Sequence, residues 1–177
     1  KGADLSGALH VVAHHPAMMG DVPDYDAELY ECRAEIARIL LDNGADPNEG
    51  SWTPLHEAAA SGMKKVAELL LERGARVDAK QRGTWTPLHA ATYMHITDAG
   101  GPARISPARA RAQREVVELL IQHGADVNVP GTDYSVLGAA IARDLPDMVE
   151  LLIEKGARVE SELLFNVYSP LLARILL

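Results

Sequence analysis

Residues 53–74 read TPLHEAAASGMKKVAELLLERG, and this stretch decides the fold. It holds two short helical patterns, with a break at Gly62 and a stop at Gly74. Thr53 is a good helix cap, and Pro54 fills a first turn where a missing backbone N–H costs nothing. Ala58, Ala59 and Ala60 are small enough to admit a neighbouring helix at close range. Val66, Leu69 and Leu70 recur at i, i+3 and i+4, the apolar stripe of an amphipathic second helix. Gly74 suits the left-handed position that ends it. A helix hairpin of this size cannot bury its own apolar faces, so it needs neighbours.

Outward from this stretch the chain repeats itself. TPLH at 53–56 returns at 86–89, a period of 33, with weaker copies ALHVVA at 8–13 and SVLGAAI at 135–141. A matching second helix follows each: EIARILL at 35–41, KVAELLL at 65–71, EVVELLI at 115–121 and DMVELLI at 147–153. Each of those runs into Gly-Ala and a short polar segment, at 44–48, 74–78, 124–128 and 156–160.

The T-P-L-H-x-A motif, the G-A-D-V-N tail and the 33-residue period resemble the ankyrin-repeat family over nearly the whole chain. The resemblance implies an all-α solenoid in which paired antiparallel helices are joined by β-hairpin-like fingers. Each repeat would then contact only its neighbours, so stability is a sum of local and nearest-neighbour terms. The expected organisation is one array, with repeats at about 5–48, 49–80, 81–130 and 131–160 and a partial unit at 161–177. Lys1–Asp4 look like the tail of an earlier repeat, and 163–177 like a fifth helix pair. The degenerate ends read as those of an array excised from a longer protein, with a natural capping pair at each end as the alternative.

Two insertions separate first from second helices, at roughly 14–31 and 95–113. The first carries Asp21, Asp24, Asp26, Glu28 and Glu31; the second carries Arg104, Arg109 and Arg111 against Asp98. Ser106-Pro107 is a good helix start, so the second helix of repeat three is expected to begin early, as Asp24 or Asp26 would allow in repeat one. Both insertions should leave the same edge of the solenoid, and contact by Arg104, Arg109 and Arg111 with an acidic partner is one reading of the second.

Composition narrows the function. Hydrophobic residues make up 47% of 177, with one Phe and two Trp, which suits an aliphatic, alanine-rich core. A net charge of −8 argues against nucleic acid, since phosphate binding needs a basic surface. The single cysteine, Cys32, rules out an internal disulfide and a cysteine-based zinc cluster. No apolar run approaches ~18 residues and the N-terminus lacks a signal-peptide pattern, so no membrane span is expected and the location is read as intracellular, cytoplasmic or nuclear.

No catalytic signature is present: no G-x-S-x-G, P-loop, H-E-x-x-H or glycine-rich dinucleotide turn. The family resemblance makes His56 and His89 of the motif, and His10 of its weaker copy, structural ties between loops. His10 and His14 share the spacing of a zinc pair, but His10 should face the repeat interface and His14 outwards, so no metal is expected.

With the repeats aligned, Trp52, Trp85 and Tyr134 all fall immediately before the motif Thr or Ser. Family resemblance places this position at the finger base on the concave side, among variable contact positions. Aligned aromatics there would supply large contact area at low entropy cost, though each ring could instead pack on the next finger. A second variable set follows the alanine pair: His14 and His15, Ala60 and Ser61, Tyr93 and Met94, Ala142 and Arg143. The expected function is therefore non-catalytic protein recognition by a monomer through that face, without cofactor. The alternatives are an inhibitor or immunity-type protein whose helical insertion enters a partner's cleft, and the regulatory part of a longer enzyme or channel.

Overall fold

The structure is a computed structural model that describes residues 5, 7–14, 27–93, 107–130, 135–160 and 170–176. Helices α1 (Ala8–Ala13), α3 (Pro54–Ser61), α5 (Pro87–Tyr93) and α7 (Val136–Ala142) form one row. Helices α2 (Ala27–Asp42), α4 (Lys64–Glu72) and α6 (Pro107–Gln122) pack in order behind them, followed by α8 (Pro146–Glu154) and α9 (Pro170–Leu176). First helix packs on first helix, and each is paired with the second helix of its own repeat.

The motif dictates this arrangement. Its leucine recurs as Leu9, Leu55, Leu88 and Leu137, none more than 1% exposed. Burying a side chain of this size contributes roughly 1.5–3 kcal/mol. Ala58, Ala59 and Ala60 are wholly buried, which lets α3 and α5 approach closely. On the second helices, Val66, Ala67 and Leu70 of α4 and Val116, Val117 and Leu120 of α6 face the core. Arg33 of α2 donates to the carbonyls of Val11, Val12 and His14, satisfying the otherwise open C-terminal end of α1.

The turns follow from the glycines. Gly62 adopts φ 70° at the end of α3, and Gly74 φ 86° just past α4, conformations an L side chain resists. The loop of repeat three closes at an isolated antiparallel bridge between Gln81 and Trp85. Gln81 N–H donates to Trp85 O at 2.8 Å, and Trp85 N–H to Gln81 O at 3.1 Å. The fingers therefore carry no strand among the described residues beyond this single bridge.

Helices α2 and α6 are 16 residues long whereas α4 has 9. The C-terminal parts of both insertions are thus extra turns of the second helices, and α6 begins at Pro107, where Ser106-Pro107 marks its start. These turns overhang the start of α4 on both sides and enclose a cleft of about 480 Å³. Lys65 pairs with Glu31 of α2, and Lys64 with Glu115 of α6 at 3.6 Å, so each wall is linked to the floor. A second cleft, of about 500 Å³, separates α6 from the start of α8.

Candidate functional site

The finger-side surface is built from the motif histidines. Thr53 holds the N-cap position of α3, and its backbone N–H donates to His56 Nδ1 at 3.1 Å. An amide only donates, so Nδ1 accepts and the ring proton sits on Nε2. Nε2 then donates across the repeat boundary to the carbonyl of Trp85 at 3.1 Å. His10 makes the same tie to the carbonyl of Trp52 at 2.6 Å. In repeat three, Thr86 N–H meets His89 Nδ1 at 3.4 Å, and the Thr86 hydroxyl lies 3.0 Å from that nitrogen.

Each tryptophan ring packs on the histidine of its own repeat. Trp52 and His56 have ring centroids 4.9 Å apart at 31°, and Trp85 and His89 6.0 Å apart at 47°. Backbone tie and ring contact alternate along the array. Both histidines are held neutral. Burial pushes His56 below its ordinary value, and burial with the nearby His56 lowers His89 to about 4. His56, a neutral imidazole bonded at both ring nitrogens, is a structural part.

Glu57 adds a feature specific to repeat two. One carboxylate oxygen accepts the Trp52 indole N–H at 2.6 Å, and the other contacts His14 Nδ1 of repeat one. His14 therefore does not simply face outwards: it is tied to the next repeat, with its side chain 40% exposed. The resulting surface joins an indole, a carboxylate and an imidazole on one side of α1 and α3.

Ser61 is a correction. Expected at a contact position, it is 1% exposed. The cause is the lengthened α6: Gln113 Nε2 donates to Ala60 O at 3.4 Å, and a Cβ on Gly62 would lie 3.4 Å from Ala112 Cβ. The insertion covers the end of α3 and removes Ser61 from any partner's reach.

The remaining candidates are distributed as follows. Trp52, Trp85 and Arg143 are half-buried, and Arg111 is exposed on the α6 wall of the cleft above α4. Tyr93 lies in α5 and Arg109 in α6, with side chains outside the described set. Tyr134, Met94, His15 and Arg104 lie outside the described residues, so the structure joins two of the three aligned aromatics. Sequence reasoning missed Glu57; its signal was an acidic residue where repeats three and four carry Ala90 and Ala139.

Comparison with known proteins settles the family. A family model described as ankyrin repeats in three copies matches residues 27–99, and an ankyrin-repeat model matches 84–132. The chain belongs to the ankyrin-repeat family. Ankyrin repeats are generally protein–protein interaction modules with a non-catalytic fold. The chain is 34% identical over 131 residues to human Ankyrin repeat and SOCS box protein 16, covering 71% of this chain and 27% of that protein. It is 28% identical over 171 residues to Ankyrin repeat domain-containing protein SAT10 of Stachybotrys chartarum, covering 80% of this chain and 9% of that protein. It is 37% identical over 94 residues to Serine/threonine-protein kinase 12 of Arabidopsis thaliana, covering 48% and 20%. The ankyrin array thus spans less than a third of each of these relatives. Among the described residues, no helix is long and apolar enough to cross a membrane.

Proposed function

We propose that this ankyrin array recognises a protein partner through its finger and first-helix face, acting as a monomeric, non-catalytic scaffold inside the cell. The observation that carries the reading is the pinned Trp85. Its backbone is fixed by the Gln81 bridge and by His56, while its side chain stays half-exposed at the finger base. An anchor ordered beforehand loses little entropy when a partner docks, so contact area there converts efficiently into affinity. Trp52, Tyr93, Met94, Tyr134, His14, His15 and Arg143 are the proposed surroundings of that anchor. Neither nucleic acid nor a cofactor enters this reading.

The test is a pull-down with the parent chain and Trp85→Ala, each checked for unchanged helical signal. Loss of partners from a folded Trp85→Ala supports the reading. A folded variant that keeps every partner sinks it.

A second reading is favoured by the overhanging α2 and α6, which suit insertion of a helical edge into a partner's cleft, as an inhibitor would do. Arg104, Arg109 and Arg111 would then carry the contact, and Arg111→Glu would lose the partner that Trp85→Ala keeps. The kinase among the relatives makes a regulatory segment of a longer enzyme the third.

A further inference from the structure

We infer that the flank of α1 and α2 facing away from α4 is a repeat-stacking interface that receives the helix pair of one more ankyrin repeat, joined ahead of Leu5 in the same polypeptide.

The inference rests on register. EIARILL at 35–41 aligns with KVAELLL, EVVELLI and DMVELLI of the following repeats, so Ile36 corresponds to Val66, Val116 and Met148. Those three are 2%, 0% and 4% exposed, whereas Ile36 is 46% exposed. Ile39 corresponds to Leu119 and Leu151, at 6% and 2%, and to the half-buried Leu69, yet is 49% exposed. On the first helix, Val11 corresponds to the buried Ala90 and Ala139 and to the half-buried Glu57, and is 72% exposed. Positions buried in at least two of the other three repeats, and half-buried in the third where they are not buried, are left uncovered in repeat one. Because α2 already packs on α1 and α4, the uncovered side is the one pointing away from α4.

The exposed flank continues an interface the array already uses, since α2 stacks on α4 and α4 on α6. The character of the flank argues against an end cap. Terminal repeats need a polar outer face to stay soluble, and this one presents three aliphatic side chains. The opposite end differs: there α9 packs on α8 and buries Leu172 to 1% exposure. A second copy stacking head to tail would meet α9 on the α8 part of that face. In sequence, Gly2-Ala3-Asp4 repeats the Gly-Ala-Asp that follows the second helices at 44–46 and 124–126.

The experiment compares this chain with the same chain extended upstream by one repeat length of its own gene, each with and without Ile36→Asp/Ile39→Asp. If a repeat stacks on this flank, the extension raises the thermal midpoint by about 5 °C or more and slows amide exchange in α2 at least tenfold. The double substitution shifts the short chain by less than about 2 °C, because both sites are exposed there, and cancels the gain in the extended one. The inference is overturned by upstream sequence without a repeat pattern, or by an extension that leaves α2 exchange unchanged. It is equally overturned by concentration-dependent self-association of the short chain that the double substitution abolishes, which would make a second copy the occupant.

Discussion

The imidazole of His56 donates through Nε2 to the backbone carbonyl of Trp85, 3.1 Å away across the boundary between repeats two and three. Its other nitrogen accepts the Thr53 backbone N–H at 3.1 Å. A proton added at Nδ1 would face that donor, inside a site from which water is excluded. The neutral ring is therefore part of the repeat interface rather than a titrating surface group.

The first prediction is a loss of stability in mild acid. In the unfolded chain both histidines titrate near 6.5; in the folded chain burial lowers His56, and burial and His56 lower His89 to about 4. The unfolded state then binds more protons as pH falls below about 6.5, so stability present at neutral pH is lost progressively on the way down to about 4. Thermal midpoints followed by circular dichroism should be level above pH 7 and decline below 6.5. His89→Gln should flatten that decline. An unchanged slope in this variant would remove His89 as a source of the decline.

Gly62 and Asp144 occupy the same turn in repeats two and four, with φ 70° and φ 53°. The following residue donates back into the first helix in both: Met63 N–H to Ala58 O at 2.9 Å, and Leu145 N–H to Ala140 O at 3.1 Å. Asp144 therefore holds a left-handed conformation that glycine adopts freely, and Asp144→Gly should stabilise by about 0.5–1 kcal/mol. Gly62→Ala should destabilise by about 1–2 kcal/mol, since a Cβ there adds strain and meets Ala112 at 3.4 Å. Urea denaturation of the two variants decides, and opposite signs are required.

The repeat units were legible because their signals are local. TPLH, the alanine run and the Gly-Ala stop each act through the backbone of their own segment, so α3 and α4 fell where the pattern placed them. What the sequence concealed came from neighbours in space. Ser61 looks like a contact position until the extra turns of α6, more than forty residues on, are laid over it. Glu57 was invisible for the same reason: its partners Trp52 and His14 meet it only when two repeats stack. Periodicity finds the units, but the length of one helix against the next decides which of their faces stay open.

Trp52 and Trp85 share a register position but should differ in what they contribute. Trp52 packs against the core and donates its indole N–H to Glu57 at 2.6 Å. Trp52→Ala should cost about 2–4 kcal/mol, and Trp52→Phe about 1 kcal/mol by loss of the hydrogen bond alone. Trp85 serves His56 through its backbone carbonyl, which any residue retains, so Trp85→Ala should cost less than about 1.5 kcal/mol. Equal losses from the two alanine variants would mean that Trp85 is a packing residue and would remove it as a clean probe of binding.

Asp78 marks the weakest of the lateral staples between fingers. Asn48 bonds the next repeat twice, its Nδ2 donating to Gly74 O at 2.9 Å and its Oδ1 accepting the Arg76 N–H at 2.8 Å. Asn128 does the same with Gly156 O at 3.1 Å and Arg158 N–H at 2.9 Å. In repeat two the position is Asp78, which accepts the Asp126 N–H at 3.3 Å but has no hydrogen to give to Gly124 O. Asp78→Asn keeps the acceptor, supplies the missing donor and removes one negative charge from a chain of net −8. It should stabilise by about 0.5–1 kcal/mol, and in reverse Asn48→Asp should cost a similar amount. Urea denaturation gives the magnitude, while slower exchange of the Asp126 amide would localise the gain to this staple. A stabilisation without that slowing would point to relief of charge repulsion instead of the added bond.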